Sequence, residues 1–177
     1  MIRSISIRHA DRSSGFTLIE LIIYVAITTI LVSLITLFLA SLQEARIKSE
    51  TVAEVEQQGL QVLQRMTHAI RNAQTITSPS VGSSGASLVL DVIAAAADPT
   101  VFDESGGAIR ITEGAGSAIP LTNDYVTMSA LTFSNRTAAG TPGLVQVIFT
   151  ITRLNIIGRN EYAYTRTFGT SVSLRHP

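Results

Sequence analysis

The chain contains no cysteine and no tryptophan, and Lys48 is the only lysine among its 13 basic residues. Without cysteine there is no disulfide staple, no thiolate metal site and no cysteine nucleophile. Any lysine-dependent chemistry would have to fall on Lys48. Net charge is missing as well, since 13 acidic side chains balance the 13 basic ones over 177 residues. Nucleic-acid binders that work by bulk electrostatics are normally basic, so direct nucleic-acid binding is not expected. The three histidines, His9, His68 and His176, are too scattered to form a metal-ligand spacing. No P-loop, dinucleotide fingerprint or nucleophile elbow is present. The expectation is a protein with no catalytic residues, no metal, no cofactor and no small-molecule substrate.

Charge is also absent locally. Leu21 to Gln43 runs for 23 residues without one charged side chain, and from Phe16 to Leu42 Glu20 is the only one. As a helix those 27 residues would be about 40 Å long, and about 20 apolar residues already cross a bilayer. A buried core helix seldom stays apolar on every face for this long. Upstream, Met1–Gly15 carries Arg3, Arg8 and Arg12 against Asp11; downstream, Glu44–Gln58 carries Arg46 and Lys48 against Glu44, Glu50, Glu54 and Glu56. The basic flank is expected to stay cytoplasmic and the remainder to cross. A cleaved secretory signal is the competing reading. Its apolar core normally spans about 7–15 residues, shorter than here, and Phe38-Leu39-Ala40 lacks the small-x-small pattern of a cleavage site.

The junction reads Gly15-Phe16-Thr17-Leu18-Ile19-Glu20, followed by Leu21-Ile22-Ile23-Tyr24-Val25-Ala26-Ile27. It resembles the motif of type IV prepilins, shared by type IV pilins, minor pilins and the pseudopilins of type II secretion and competence systems. The resemblance covers about the first 60 residues. It implies cleavage between Gly15 and Phe16 by a membrane-embedded prepilin peptidase that also methylates the new Phe16 amine. It also implies that Glu20 is the carboxylate needed for filament assembly. Physical chemistry agrees on Glu20: a carboxylate in hydrocarbon is costly and needs a partner, and the Phe16 amine lies four residues upstream. The implied partners are inner-membrane lipid, the prepilin peptidase/methyltransferase and other pilin or pseudopilin subunits.

Beyond the membrane segment, Glu44 to Gln74 contains no proline, and apolar or small residues recur at Val52, Val55, Gly59, Val62, Met66, Ala69, Ala73 and Ile76. That is a helical stripe, widened by Leu60, Leu63 and Ile70, with Glu54 and Glu56 assigned to the opposite face. It reads as a face that packs on a globular head and is wider than a coiled-coil seam. Gly59 reads as a bend or a close-packing point. After the turn-rich stretch 78–85 the period changes to two, and strands are expected at 87–93, 108–112, 125–134, 144–153 and 161–174. The last three are expected to form a meander on the helix stripe. Asp98, Asp103, Glu104 and Glu113 read as solvated loop acids, and Asn135-Arg136-Thr137 matches a glycosylation sequon that carries little weight alone. The missing cysteines exclude the C-terminal disulfide loop of many pilins, which favours a pseudopilin or minor pilin.

The expected fold is α+β and pilin-like: a long N-terminal helix, half membrane-embedded and half packed, with an antiparallel β-sheet head. The expected parts are a leader at 1–15, a transmembrane half-helix at 16–43, an extracytoplasmic half-helix at 44–76 and a β-rich head at 77–177. The functional expectation is a structural subunit, of minor type, of a type IV pilus, type II secretion or competence filament. It would be a single-pass protein of the bacterial inner membrane with a cytoplasmic N-terminus. The alternative is a singly anchored extracytoplasmic binding module that does not polymerise; Gly15 and Glu20 separate the two, because a plain anchor needs neither.

Overall fold

The computed structural model describes residues 15–155 and 158–175, so all of the expected leader except Gly15, together with His9 and His176, lies outside the described residues. The chain forms two compact units that meet between Gln43 and Glu44. One α-helix, α1 (Leu18–Asn72), contributes to both.

The first unit consists of α1 up to Gln43. Its large apolar side chains are all exposed, and an 18-residue window of the helix reaches a mean hydropathy of 2.6 with none of it buried. The few hydroxyl groups in this stretch bond back onto the helix itself. Thr28 donates to the Tyr24 carbonyl at 2.7 Å, and Thr29, Ser33 and Thr36 each donate to the carbonyl four residues earlier at 2.8 Å. In a medium without water this removes the cost of unpaired hydroxyls and leaves a surface that is apolar all round.

Among the described residues the second unit is α1 from Glu44 together with nine antiparallel strands. They are β1 (Ala73–Ser78), β2 (Ser84–Gly85), β3 (Leu88–Val92), β4 (Thr100–Ser105), β5 (Ala108–Glu113), β6 (Ile119–Pro120), β7 (Val126–Asn135), β8 (Leu144–Arg153) and β9 (Thr165–Ser173). They form two sheets, ordered β1-β3-β4-β5-β6 and β2-β7-β8-β9. The molecule is thus α+β and pilin-like, a long N-terminal helix followed by antiparallel sheets.

The strands expected at 87–93, 108–112, 125–134 and 144–153 correspond to β3, β5, β7 and β8. The meander β7-β8-β9 is present with continuous β8–β9 register from Leu144↔Ser173 to Thr152↔Thr165. The expected strand at 161–174 is shorter, because Asn160–Tyr162 forms a 3-10 turn. The five-stranded sheet had not been anticipated as a separate layer. Asp103 and Glu104, expected in a loop, lie in β4, and Glu113, also expected in a loop, closes β5.

Helix was expected to Ile76 but stops at Asn72, and Ala73–Ser78 pairs with β3. The β-branched run Thr75-Ile76-Thr77 favours extended backbone. A register shift between Ala73 and Thr75 marks a bulge. A bulge lets residues three apart share a side of a strand, so Ala73 and Ile76 imitate one more helical turn.

The buried helix face is Thr51, Val55, Gly59, Val62, Met66 and Ile70. Its phase differs slightly from the expected stripe: Thr51, and not Val52, opens it, and Leu60 is 53% exposed. The apolar members share one core with Leu88, Leu90, Phe102 and Ile109 of the first sheet and with Phe133, Val145, Val147, Phe149, Ile151 and Phe168 of the second. Glu54 and Glu56 do not lie on the solvent face. They flank the core and reach the second sheet, Glu54 pairing with Arg153 and Glu56 with Arg166. Glu54 also accepts from Asn123 at 3.1 Å, and Glu56 from the Tyr164 hydroxyl at 3.0 Å.

Candidate functional site

The residues singled out in the sequence lie at the start of α1. Thr17 is the last residue before the helix, and its side-chain oxygen accepts from the Glu20 backbone N–H at 3.3 Å. That is an N-cap, and Thr17-Leu18-Ile19-Glu20 has the spacing of a capping box. Glu20 in the first turn also complements the helix dipole. The helix start is therefore written in the same residues as the motif, a signal that sequence reading overlooked.

Glu20 is half-buried, whereas every other described residue up to Gln43 is exposed. Its cover comes from its own helix. The Tyr24 hydroxyl, one turn on, donates to Glu20 Oε1 at 3.4 Å, and the Tyr24 ring lies 5.7 Å from that of Phe16. Tyr24 is thus the internal partner that the carboxylate has in the free chain, and i,i+4 spacing on a helix is what brings it there.

Gly15 and Phe16 precede the helix, and both are exposed. A Cβ built at Gly15 would meet nothing within 4 Å. Among the described residues nothing packs so as to demand glycine there.

In the second unit several of the charged residues singled out above serve structure. Asp103 and Arg110 face each other across the β4–β5 hairpin in a two-point pair at 2.9 and 2.7 Å. The hydrogen bond to Asp103 raises the Arg110 pKa above its ordinary value. Asp98 accepts from the Val92 N–H at 3.2 Å, and Glu113 meets Arg65 at 3.3 Å. Among the described residues no group of histidine and carboxylate side chains could hold a metal ion. Lys48, the lone lysine, donates to the carbonyls of Asn160 and Ala163 and so ties the 3-10 turn to the helix.

The sequon residue Asn135 is 2% exposed. Its amide nitrogen donates to the Pro79 carbonyl at 2.8 Å, and its oxygen accepts from both the N–H and the hydroxyl of Thr137. The side chain anchors the loop after β7 and leaves no free amide to modify.

Residues 11–36 match the family model of the prokaryotic N-terminal methylation motif, the type IV prepilin-like signal. No match was found among curated proteins or among solved structures. The match bears on the first unit alone, and there it supports a type IV pilin-like or pseudopilin precursor. Such a signal points to a structural protein of pilin type. It implies processing by a prepilin peptidase and assembly with other pilin subunits. With the exposed apolar helix, it fits a single-pass inner-membrane anchor.

Proposed function

We propose that this protein is a minor subunit of a type IV pilus, type II secretion or competence filament, processed at its N-terminus and assembled through α1. Hydrolysis of the Gly15–Phe16 peptide bond would free the Phe16 amine, and transfer of one methyl group to that nitrogen from a sulfonium methyl donor, which leaves as a thioether while the amine loses a proton, would complete maturation. Residues 1–15 are then the leader, residues 16–43 cross the inner membrane from a cytoplasmic N-terminus, and the head is extracytoplasmic.

The observation that carries this reading is the methylation motif at 11–36, seated on a helix whose one charged residue before Glu44 is Glu20. A plain anchor would gain from losing that carboxylate, because a charge in hydrocarbon costs up to about 3 kcal/mol on insertion scales. Glu20 is retained, in this proposal, to meet the Phe16 amine of a neighbouring subunit in low dielectric, where opposite charges attract strongly. Before assembly Tyr24 holds it. Gly15 is there because the peptidase cleft has no room for a side chain, which accounts for a glycine that packing among the described residues does not require.

The test is intact-mass measurement of the protein from its native host. The expected species starts at Phe16 with one added methyl group. A mature terminus near residue 41 would show removal of a secretory signal and overturn the proposal. Gly15 replaced by a bulky residue should leave the precursor uncut.

A further inference from the structure

The two sheets end in four edge strands, and three of them offer little to pair with. β2 and β6 have two residues each, and β1 carries two register shifts. β9 has nine residues, no proline and unbroken register with β8. Its one charged residue, Arg166, is taken up by Glu56. The bonds that flank the β8–β9 ladder fix which backbone groups it uses. The Leu174 N–H donates to the Gly143 carbonyl at 2.8 Å, and the Arg153 N–H to the Tyr164 carbonyl at 2.9 Å. Antiparallel ladders alternate, so the even-numbered residues of β9 turn their backbone groups to β8. Thr165, Thr167, Gly169, Ser171 and Ser173 turn theirs away, and among the described residues these groups have no backbone partner. All of them are exposed, including Gly169, which has only backbone to expose.

Beside that edge a groove of about 770 Å³ runs between β9 and α1. Leu60 and Leu63 line it, the first exposed and the second half-buried. Arg71 and Arg175 stand where the helix stops, and no acidic residue lines the groove. There the Arg175 N–H donates to the Arg71 carbonyl at 3.1 Å, so the helix closes the edge beyond Ser173.

We propose that the β9 edge and this groove together receive an extended segment of a partner protein as one further antiparallel strand. Its backbone would use the outward groups of β9, as strand addition to an open edge does. Alternate side chains of the added strand would share the core face. They would lie over Leu60 and Leu63 and should be apolar. An antiparallel strand begins at the C-terminal end of β9, so its first residues meet Arg71 and Arg175 and should be acidic. The occupant is thus a strand with carboxylates at its N-terminal end and apolar residues at every second position after them. A second copy of β9 does not fit. Paired antiparallel, it would bring its own Arg166 towards Arg175 and Arg71, and like charges across strands repel. The inference concerns the second unit and holds whether or not the chain is processed at Gly15.

The probe is the synthetic peptide Asp-Asp-Thr-Val-Thr-Val-Thr-Val-Thr, labelled with a fluorophore at its C-terminus. It is titrated into the full-length chain in detergent micelles, and fluorescence anisotropy reads the binding. Saturable binding is expected. Residues paired across strands share a face, so the threonines of the peptide carry the N–H groups that meet β9 and the valines carry those that face away. N-methylation of the central threonine should therefore weaken binding about tenfold, the effect of one lost hydrogen bond, while N-methylation of the valine beside it should leave binding within about twofold. Ser171→Pro removes one outward donor at a position where an edge strand tolerates proline, and should weaken binding about tenfold with an unchanged melting temperature. Leu60→Asp should weaken it as well, through the groove and not the backbone. Arg71→Glu with Arg175→Glu should reject the peptide and accept its counterpart with lysines in place of the aspartates. No saturable binding by the parent chain, equal loss from the two N-methylated peptides, or a charge reversal without effect overturns the proposal. The start of the mature chain, read by intact mass on the same samples, tests the proposed function separately.

Discussion

The ring of Phe168 occupies the place where a side chain at position 59 would stand. A Cβ on Gly59 would come within 2.1 Å of that ring, which itself stacks on Phe149 at 5.6 Å between centroids. Gly59 is therefore a close-packing point between α1 and β9.

Gly59→Ala tests this. Helix propensity alone would stabilise by about 1 kcal/mol. The clash should reverse the sign and destabilise by about 1–3 kcal/mol, the usual cost of overpacking. Phe168→Leu in the same chain should recover part of the loss in a double-mutant cycle. If Gly59→Ala raises the denaturation midpoint, the glycine is a dispensable bend.

Glu54 and Arg153 are both mostly covered, with side-chain exposures of 28% and 16%. Glu54→Ala would strand Arg153 beside the core and should cost about 1–3 kcal/mol. Replacing both by apolar residues of similar size should cost less than Glu54→Ala alone. Equilibrium unfolding of the single and double variants reads the difference.

Met66 is fully buried, whereas Leu60, six residues earlier on the same helix, is exposed. Met66→Asp should unfold the second unit, since an unpaired buried charge costs several kcal/mol. Leu60→Asp should stay within about 0.5 kcal/mol of the parent. Circular dichroism melts of the two variants should differ accordingly.

Asn135 should remain unglycosylated in the native host, and its tryptic peptide should show the unmodified mass. Asn135→Ala removes three hydrogen bonds at a buried site and should destabilise by about 1–3 kcal/mol.

Glu20→Ala and Glu20→Gln should both be inserted and cut, because they remove a costly charge without touching Gly15. Both should be depleted from sheared filaments. Failure of glutamine would identify charge, and not hydrogen bonding, as the requirement. Wild-type co-fractionation of both variants would leave Glu20 paired only with Tyr24 and favour the plain membrane anchor.

The first unit was legible in the sequence because its signals are local. Absence of charge from Leu21 to Gln43, glycine before phenylalanine and a carboxylate four residues on can be read without knowing what packs where. The strands β7 and β8 were also legible, since residues such as Val145, Val147, Phe149 and Ile151 alternate cleanly. What only the tertiary structure decided lies where short-range patterns are ambiguous or where long-range pairing assigns the role. Ala73 and Ile76 fit a helix or a bulged strand equally, and pairing with β3 chose the strand. Glu54 and Glu56 look like solvent residues until Arg153 and Arg166 arrive from strands about a hundred residues on, by sequence separations of 99 and 110. Lys48 became a tie to a distant turn, and the odd-numbered residues of β9 became a free edge only through register. A side chain's partner depends on which segments fold against it, and no local period encodes that.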